Sequence, residues 1–350
     1  MRPGLAAAAS AQGGVFTRKQ ALMAGYTERE VKALTRPRGT WAVVRTGHYA
    51  ERSVVEALDL RDRWLLKDRA ALLMSRRQAA LSHDSAARLL RIDTLDPAMP
   101  STHLTLHGAT GSRASGGVSR HRDLLPLCLE RVDDLVATSY ARTAIDIGRW
   151  HGYRHGLVAV DSVRQMGVPQ RDLDDELERM PHHPYIARAR AAVRDSNAGA
   201  ESVLETLGRE LVLSLGLGEV ETQFAVGLGS ERIVWCDIRV GCHLFECHGM
   251  TKLVPVAEGG VATEPAERVL WKQQNRQTEI CAHGLGMSRI VWSDCFGAGR
   301  ARARDRLRRE YAVTQSRFGC ELPVHLRQFA DANPRRRQQR LWVPDARTAA

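Results

Sequence analysis

Apolar residues recur at helical spacing along two short segments near the start of the chain. Residues 15–23 predict one helix, and residues 28–35 predict a second helix that begins after Thr27, a good N-cap residue. A glycine interrupts the helical pattern between them. Residues 40–45 are rich in β-branched and aromatic side chains and predict a strand after a basic turn. This order predicts a winged helix-turn-helix domain over residues 14–50.

The pattern of apolar positions from residue 54 to residue 197 is less regular. Residues 58–81 predict a long helix, while residues 103–107 and 117–121 predict strands around a loop rich in Gly and Ser. Later segments show helical spacing of apolar residues, namely 139–149, 157–165 and 170–180. We therefore expect a middle domain of mixed helices and strands over residues 54–197.

From residue 198 to residue 297 the pattern predicts a helix, three strands, a second helix and a last strand. In chain order these elements are 201–215, 220–226, 232–239, 243–247, 264–282 and 286–292. Their order predicts an α/β sandwich with a mixed sheet. The chain as a whole is therefore expected to be α+β and multidomain, with residues 298–350 as a basic C-terminal extension.

The charge balance predicts a polyanionic partner. The chain has 51 Lys and Arg against 40 Asp and Glu, a formal net charge of +11. A basic protein of this kind attracts nucleic acid, and we expect double-stranded DNA as the partner. The predicted second helix and the strand region after it carry the cations expected to contact DNA, which are Arg29, Lys32, Arg36, Arg38 and Arg45.

Other features exclude several classes of site and location. The chain has no run of about 18 apolar residues, so no membrane segment is predicted. The seven cysteines are scattered, without a Cys-x-x-Cys motif or a Cys/His pair at zinc spacing, which favours reduced thiols in the cytoplasm. His83, Asp84 and Asp161 have no partner at a diagnostic spacing, and we expect structural roles for them.

Three acids and a lysine follow one another in the third segment. Asp237 lies in one predicted strand, Glu246 ends the next, and a hairpin can bring both carboxylates to one edge of the sheet. Two such carboxylates can hold Mg²⁺ or Mn²⁺, which activates water for phosphodiester hydrolysis. Lys252 is placed to stabilise the charge of the transition state. Either Glu205 or Glu201, one helical turn apart, can complete the shell of the ion.

This set of residues resembles a nuclease family. Asp237, followed by Phe245–Lys252, resembles the core of the PD-(D/E)XK superfamily, and most closely its very-short-patch-repair-like endonuclease branch in actinobacterial proteins. The run Trp271–Arg276 is similar to the basic helix of that branch. In this resemblance Glu205 falls on the usual helix acid, with Glu201 as the alternative. The resemblance implies a metal-dependent DNA endonuclease.

A second resemblance leaves another function open. Residues 14–49 and 138–161 resemble the AbiEi-type antitoxin of type IV toxin–antitoxin systems, which implies an operator-binding regulator with a cognate toxin as partner. His248 stands where the nuclease branch usually has Asp, and a neutral imidazole binds Mg²⁺ poorly. The hypotheses are therefore a metal-dependent endonuclease, a regulator without catalysis, or a phage-defence or mobile-element protein that combines both activities.

Overall fold

The computed structural model of the chain describes residues 1–75, 77–96, 100–107, 111–123, 128–229, 232–249 and 266–335. The described chain divides into two compact units. One unit contains Met1–Val163 and Val168–Arg194, and the other contains Arg164–Gly167 and the chain from Asp195 onward. Each unit combines helices with β-sheet, so the expectation of a mixed α+β chain is confirmed. No helix within these described ranges is long and apolar enough to cross a membrane.

The first unit begins with short helices and strands. They are α1 (Pro3–Ala11), β1 (Phe16–Thr17), α2 (Arg18–Met23), α3 (Glu28–Leu34), β2 (Trp41–Arg45) and β3 (His48–Glu51). The strands form an antiparallel sheet of order β1-β3-β2. Thr27 caps α3 as predicted, because its hydroxyl accepts the Glu30 N–H at 3.2 Å and the Glu30 carboxylate accepts the Thr27 N–H at 2.6 Å. The rings of Phe16, Trp41 and Tyr49 form the core beside these helices.

From residue 52 the chain continues into a larger mixed sheet and its covering helices. The elements are α4 (Arg52–Ala57), α5 (Leu60–Leu73), β4 (Ala79–Leu81), α6 (His83–Leu90), β5 (Thr102–His107), β6 (Arg113–Ser115), β7 (Val118–Asp123), β8 (Leu129–Val132), β9 (Leu135–Thr138), α7 (Tyr140–His151), α8 (Tyr153–Gln165), α9 (Gln170–Arg179) and α10 (Ile186–Arg194). The sheet order is β6-β7-β5-β4-β9-β8.

The prediction of one helix over 58–81 is wrong at its end, because β4 is an inner strand. Leu81 pairs with Leu104 and with Ala137, and a short buried apolar run does not distinguish helix from strand.

A buried ion cluster fixes helices of the first unit against this sheet. Arg142 of α7 donates to Asp123 at the end of β7, to Asp146 at 2.8 Å and to Glu176 of α9 at 3.4 Å. Burial opposes the charge of Arg142, but the carboxylates of Asp146, Asp123 and Glu176 raise its pKa. Because buried charges persist only when they are paired, the cluster holds α7, α9 and the end of β7 together.

The second unit has the order of elements predicted for residues 198–297. They are α11 (Val203–Leu213), β10 (Glu221–Gly227), β11 (Ile233–Val240), β12 (His243–His248), α12 (Ala266–Cys281) and β13 (Gly286–Val291), followed by α13 (Gly297–Phe318) and α14 (Val324–Ala332). The sheet order is β10-β11-β12-β13. The pairs β10–β11 and β11–β12 are antiparallel and β12–β13 is parallel, so the predicted mixed sheet is confirmed.

The helices after residue 297 bury one side against the sheet of the second unit. Leu326 of α14 belongs to the apolar core, and the ring of Phe329 lies against Gly227 so closely that a Cβ there would be 2.9 Å from it. Thr314 of α13 is buried, and its hydroxyl is 2.6 Å from Nδ1 of His243. The arginines of α13 are partly exposed cations, such as Arg302 and Arg309, and partly partners of α11, since Arg300 pairs with Glu210 at 2.7 Å.

Candidate functional site

Close packing of α11 on the sheet brings an acidic side chain next to the central strands of the second unit. Leu207 and Leu211 of this helix are fully buried. A Cβ on Gly208 would lie 2.6 Å from Sγ of Cys247, so the helix can approach β12 this closely only with glycine at this position. Glu205 lies in the first turn of the same helix. We call Glu205, Gln223, Asp237 and Glu246 the acid pocket.

Glu205 is held in place by neutral hydrogen-bond donors. Its Oε2 accepts the Glu201 N–H at 2.7 Å and Nε2 of Gln223 at 3.2 Å, and its Oε1 accepts the Ser202 hydroxyl at 2.9 Å. Burial, with the negative charge of Asp237 adding to it, raises the pKa of Glu205 to about 7. A carboxyl group with this pKa is stabilised in its charged form by any cation that binds nearby.

Gln223 contacts Glu205 from an unusual backbone conformation. Its φ is 55°, in the left-handed region that residues with a side chain rarely adopt. The β10–β11 register is otherwise regular and pairs Thr222 with Ile238, so Gln223 lies opposite Asp237. Local strain of this kind is concentrated at functional sites, and here it occurs between the two acids.

Asp237 and Glu246 lie on neighbouring strands as predicted, but their carboxylates have different partners. Asp237 Oδ2 accepts the Cys247 N–H at 2.7 Å. Glu246 is 8% exposed and pairs with Arg276 of α12 at 3.3 Å. Burial first, and then the charges of Asp237, Glu205 and Glu246, raise the pKa of Cys247 well above its usual value, so this thiol stays protonated among the acids.

The other residues predicted for this site have three different placements. Glu201, the alternative helix acid, is bound by Arg335 at 2.5 and 2.7 Å. His248 ends β12, is partly exposed and is paired in register with Val291. Lys252 lies outside the described residues. Of the two candidate acids, Glu205 is therefore the one that contacts the sheet, through Gln223 of β10.

The acid pocket fits a divalent ion that prefers oxygen ligands. Mg²⁺ in proteins typically binds one or two carboxylates and keeps several waters, and Glu205 and Asp237 can supply two carboxylates. A cation would also stabilise the charged form of Glu205, whose pKa is raised by burial and then by the charge of Asp237. Glu246 contributes less charge because Arg276 already offsets it. In the described chain these acids do not form a group of three with all ligand atoms within 4.8 Å.

The cations predicted to contact DNA are mostly exposed. The exposed residues are Arg29 and Lys32 on α3, and Arg36 and Arg38 in the turn before β2. Within the described ranges none of these side chains takes part in an ion pair. Arg52 shapes the turn by donating to the carbonyl of Arg36 at 3.0 Å and to that of Trp41 at 3.0 Å. A shaped, exposed and positively charged surface is what phosphate contact requires.

Arg45 differs from these four cations. Its guanidinium donates to the carbonyl of Lys67 at 2.8 Å, to that of Gly116 at 3.1 Å and to the Thr102 hydroxyl. Burial lowers the pKa of Arg45, although the charge of Asp68 opposes this change. Arg45 thus joins β2 to the larger sheet of the first unit, and this placement argues against the predicted contact of Arg45 with DNA.

Three histidines of the first unit meet at one place, although they are far apart in the sequence. His103 on β5 and His121 on β7 lie on parallel neighbouring strands, whose register pairs Thr105 with His121. His83 begins α6, and its ring stacks on that of His121 with centroids 3.9 Å apart. Nitrogen atoms of all three rings lie within 4.8 Å of one another, which no other described group of three His, Cys, Asp or Glu residues achieves. We call these residues the histidine cluster.

Polar groups contact the ring of His103 on the side away from His121. Asp84 Oδ2 is 3.3 Å from Nε2 of His103 and 2.8 Å from Nε2 of His151, and Ser101 Oγ is 2.7 Å from the same nitrogen of His103. The other oxygen of Asp84 is buried and has no hydrogen-bond partner among the described residues. Trp150 lies edge-on to all three rings of the cluster, with centroids 5.0 to 5.8 Å away.

Burial keeps the histidine cluster neutral. Burial lowers the pKa of His103 to about 3 and the pKa of His121 to about 4. Burial, reinforced by the nearby imidazoles and arginines, lowers the pKa of His83 well below its usual value. The backbone of His83 has φ 49°, again in the left-handed region. A neutral imidazole has an unprotonated nitrogen that can accept a hydrogen bond or bind a metal.

Spacing along the chain does not predict this cluster. His83 and Asp84 stand alone in the sequence because their partners come from β5, β7 and α7. The available signal was the concentration of histidines between residues 83 and 183, three of which, His103, His107 and His121, lie in predicted strands. Only the pairing of β5 with β7, which are separate in sequence, brings the side chains of His103 and His121 together.

No protein-family model matches this chain, and no characterised protein matches it significantly. Its function is therefore inferred from its own residues and their geometry.

Proposed function

We propose that this chain is a DNA-binding protein whose second unit hydrolyses DNA phosphodiester bonds with Mg²⁺ or Mn²⁺. The observation that carries the proposal is the juxtaposition of Glu205 and Asp237. One acid comes from the start of α11 and the other from β11, and burial, with the charge of the second adding to it, raises the pKa of the first to about 7. Acids kept together at such a cost in free energy are a feature of sites that bind cations or transfer protons.

The residues of the acid pocket have distinct roles in this proposal. Glu205 and Asp237 hold the ion, and Gln223 keeps Glu205 oriented through its 3.2 Å hydrogen bond. A divalent ion bound there would lower the pKa of a water and offset charge on the phosphate. The burial of Glu246 and Cys247 excludes water from the inner side of the pocket and strengthens electrostatic effects there. A role of Lys252 in the transition state remains a prediction.

The small domain at the start of the chain supports the DNA-binding half of the proposal. α2, α3 and the β2–β3 pair follow the order of a winged helix-turn-helix, in which the second helix enters the major groove. The exposed cations of α3 and of the following turn supply phosphate contacts, and the net charge of +11 favours association with DNA. The acids of α3 are engaged elsewhere, since Glu28 pairs with Arg18 and Glu30 with Arg2.

A nicking assay with the full chain tests the catalytic half. Supercoiled DNA is incubated with the metal-free protein after addition of Mg²⁺ or Mn²⁺. We expect Asp237→Asn and Glu205→Gln each to reduce the rate by at least about 100-fold, the loss typical when electrostatic stabilisation is removed. Glu201→Gln is the matched control, because that acid lies just before the N-cap of the same helix and pairs with Arg335. Equal rates for the wild type and Asp237→Asn would contradict the proposal.

A specific observation favours a regulator without catalysis as the second candidate function. Arg276 pairs with Glu246 and so removes one of the charges that an ion would need, and His248 replaces a further acid. In that case the first unit binds an operator and a cognate toxin is the partner, as in type IV toxin–antitoxin or phage-defence systems. Sequence-specific binding in a mobility-shift assay, without cleavage in either metal, would select this function. Cleavage that is lost in Asp237→Asn would select the nuclease.

A further inference from the structure

The histidine cluster of the first unit brings three imidazole nitrogens within 4.8 Å of one another, close enough to bind one ion. We propose that His83, His103 and His121 bind a divalent transition-metal ion of the zinc class, and that Asp84 orients His103 for this purpose. The site is independent of the proposed nuclease function, because it uses none of the residues of the acid pocket.

The geometry of the donors is close to that of a bound ion. A tetrahedral zinc ion with Zn–N bonds of about 2.0–2.1 Å holds two ligand nitrogens roughly 3.3 Å apart. Nδ1 of His103 and Nε2 of His121 are 2.9 Å apart, so a shift of a few tenths of an ångström would admit the ion between them. Ser82 Oγ is 3.1 Å from Nδ1 of His83, which assigns Nε2 of that ring as the third donor.

A carboxylate contacts the nitrogen of His103 that would not bind the ion. Asp84 Oδ2 lies 3.3 Å from Nε2 of His103, on the opposite side of the ring from Nδ1. Histidine ligands in proteins typically donate their second N–H to a carboxylate, which fixes the tautomer and makes the ligating nitrogen more basic. Asp84 is itself held by His151 at 2.8 Å, so its position does not depend on the ion.

The donor set selects the class of ion. Neutral imidazole suits zinc and its neighbours in the transition series, whereas Mg²⁺ and Ca²⁺ require oxygen ligands. Three protein ligands leave one position for water or another small ligand, as in catalytic zinc sites. His121 is partly exposed and Trp150 is 48% exposed, so this position is next to solvent.

The alternative is a histidine cluster that binds no ion. Three neutral rings can stack in a core and share hydrogen bonds. The His103–His121 contact at 2.9 Å would then be an N–H···N hydrogen bond. In that state the cluster would take up no ion. The wild type and a variant with a residue of similar polarity in place of His121 would then give the same result in a metal titration. The two states therefore give opposite results in a metal titration.

The experiment uses the full chain, stripped with a chelator and then titrated with Zn²⁺ against a chromophoric competitor. We expect the wild type to bind an ion that His121→Gln binds at least about 100-fold more weakly, and Asp84→Asn to weaken binding by about 10–100-fold. His107→Gln is the control, because this exposed histidine ends the same strand as His103 and should bind Zn²⁺ like the wild type. Equal affinity of the wild type and His121→Gln, or no uptake by the wild type, would overturn the proposal.

A measurement on the unaltered protein covers the case in which His121→Gln does not fold. X-ray absorption at the zinc edge of the loaded wild type should show a shell of nitrogen and oxygen at about 2.0–2.1 Å, with the multiple scattering of imidazole rings. Replacing Zn²⁺ by Co²⁺ should give the visible bands of a four-coordinate ion without a thiolate charge-transfer band. A shell dominated by sulfur would place the ion at cysteines and overturn the proposal.

Discussion

The acid pocket of the second unit and the histidine cluster of the first unit both gather metal-binding side chains, but with opposite electrostatics. In the acid pocket burial, together with the charge of Asp237, raises the pKa of Glu205 to about 7. In the histidine cluster burial lowers the pKa of His121 to about 4, so the rings are uncharged. A bound cation would therefore stabilise the acid pocket through its positive charge. In the histidine cluster the neutral ring nitrogens could instead donate electron pairs to a bound ion.

The ion pairs next to the two regions differ in their exposure to solvent. The ion pair beside the acid pocket is partly solvated, since the Arg276 side chain is 38% exposed. The ion cluster beside the histidines is buried, since the Arg142 side chain is 5% exposed and Asp146 is fully buried. Arg276 has one buried acid partner, whereas Arg142 has three, so the same type of mutation should have unequal effects.

Removing Arg142 is expected to have the largest effect on stability. Arg142→Ala leaves Asp123, Asp146 and Glu176 buried without their common partner, and the loss should be about 3–5 kcal/mol. Arg276→Ala should cost about 1–2 kcal/mol, because it removes the partner of one buried carboxylate, Glu246, instead of three. Unfolding of each full-length variant in denaturant measures both values.

The control for this comparison is an exposed pair of the first unit. Arg171 contacts Asp172 at 3.3 Å with most of its side chain in solvent, so Arg171→Ala should leave the free energy of unfolding unchanged. If Arg276→Ala destabilised the protein as much as Arg142→Ala, the distinction between a solvated and a buried ion pair would be wrong.

The same contrast explains what could be predicted from the sequence. The strands that carry Asp237 and Glu246 are consecutive, so their pairing follows from a short hairpin and could be predicted. The pairing of Arg276 with Glu246 could not, because α12 returns to the sheet only in three dimensions. The histidine cluster depends on β5 and β7, whose parallel pairing has no local signal in the chain. Arg45 looks like a surface cation in sequence because its acceptors are backbone carbonyls of distant segments.

The two regions should respond oppositely to pH in metal-free protein. The folded-state pKa of Glu205 is raised from 4.5 to about 7, so the folded state binds more protons between these values and stability falls as pH rises through them. The folded-state pKa of His121 is lowered from 6.5 to about 4, so the unfolded state binds more protons and stability falls as pH drops from 6.5. Each effect should be on the order of 2–3 kcal/mol.

Denaturant titrations at a series of pH values in the presence of chelator separate these effects. Glu205→Gln should remove the decline between pH 4.5 and about 7, and His121→Gln should remove part of the decline as pH drops from 6.5 to about 4. Glu201→Gln is the control for the first variant, because Arg335 already compensates that charge. The opposition between the two regions would be refuted if Glu205→Gln and His121→Gln changed the slope of stability against pH in the same direction between pH 4.5 and 6.5.

The smallest expected effect is on DNA affinity, and it tests whether the proposed DNA surface is independent of both regions. Arg29 and Lys32 are exposed on α3, so each replacement by Ala should reduce the slope of log affinity against log salt concentration by about 1. Fluorescence anisotropy of a labelled duplex at several salt concentrations measures the slope. Arg171→Ala, which removes an exposed cation outside that surface, should keep the wild-type slope. Because neither Arg29→Ala nor Lys32→Ala alters a side chain of the acid pocket or the histidine cluster, zinc and manganese affinities should stay the same. A metal affinity that changed with Arg29→Ala would mean that the two proposed metal sites and the proposed DNA surface are not independent.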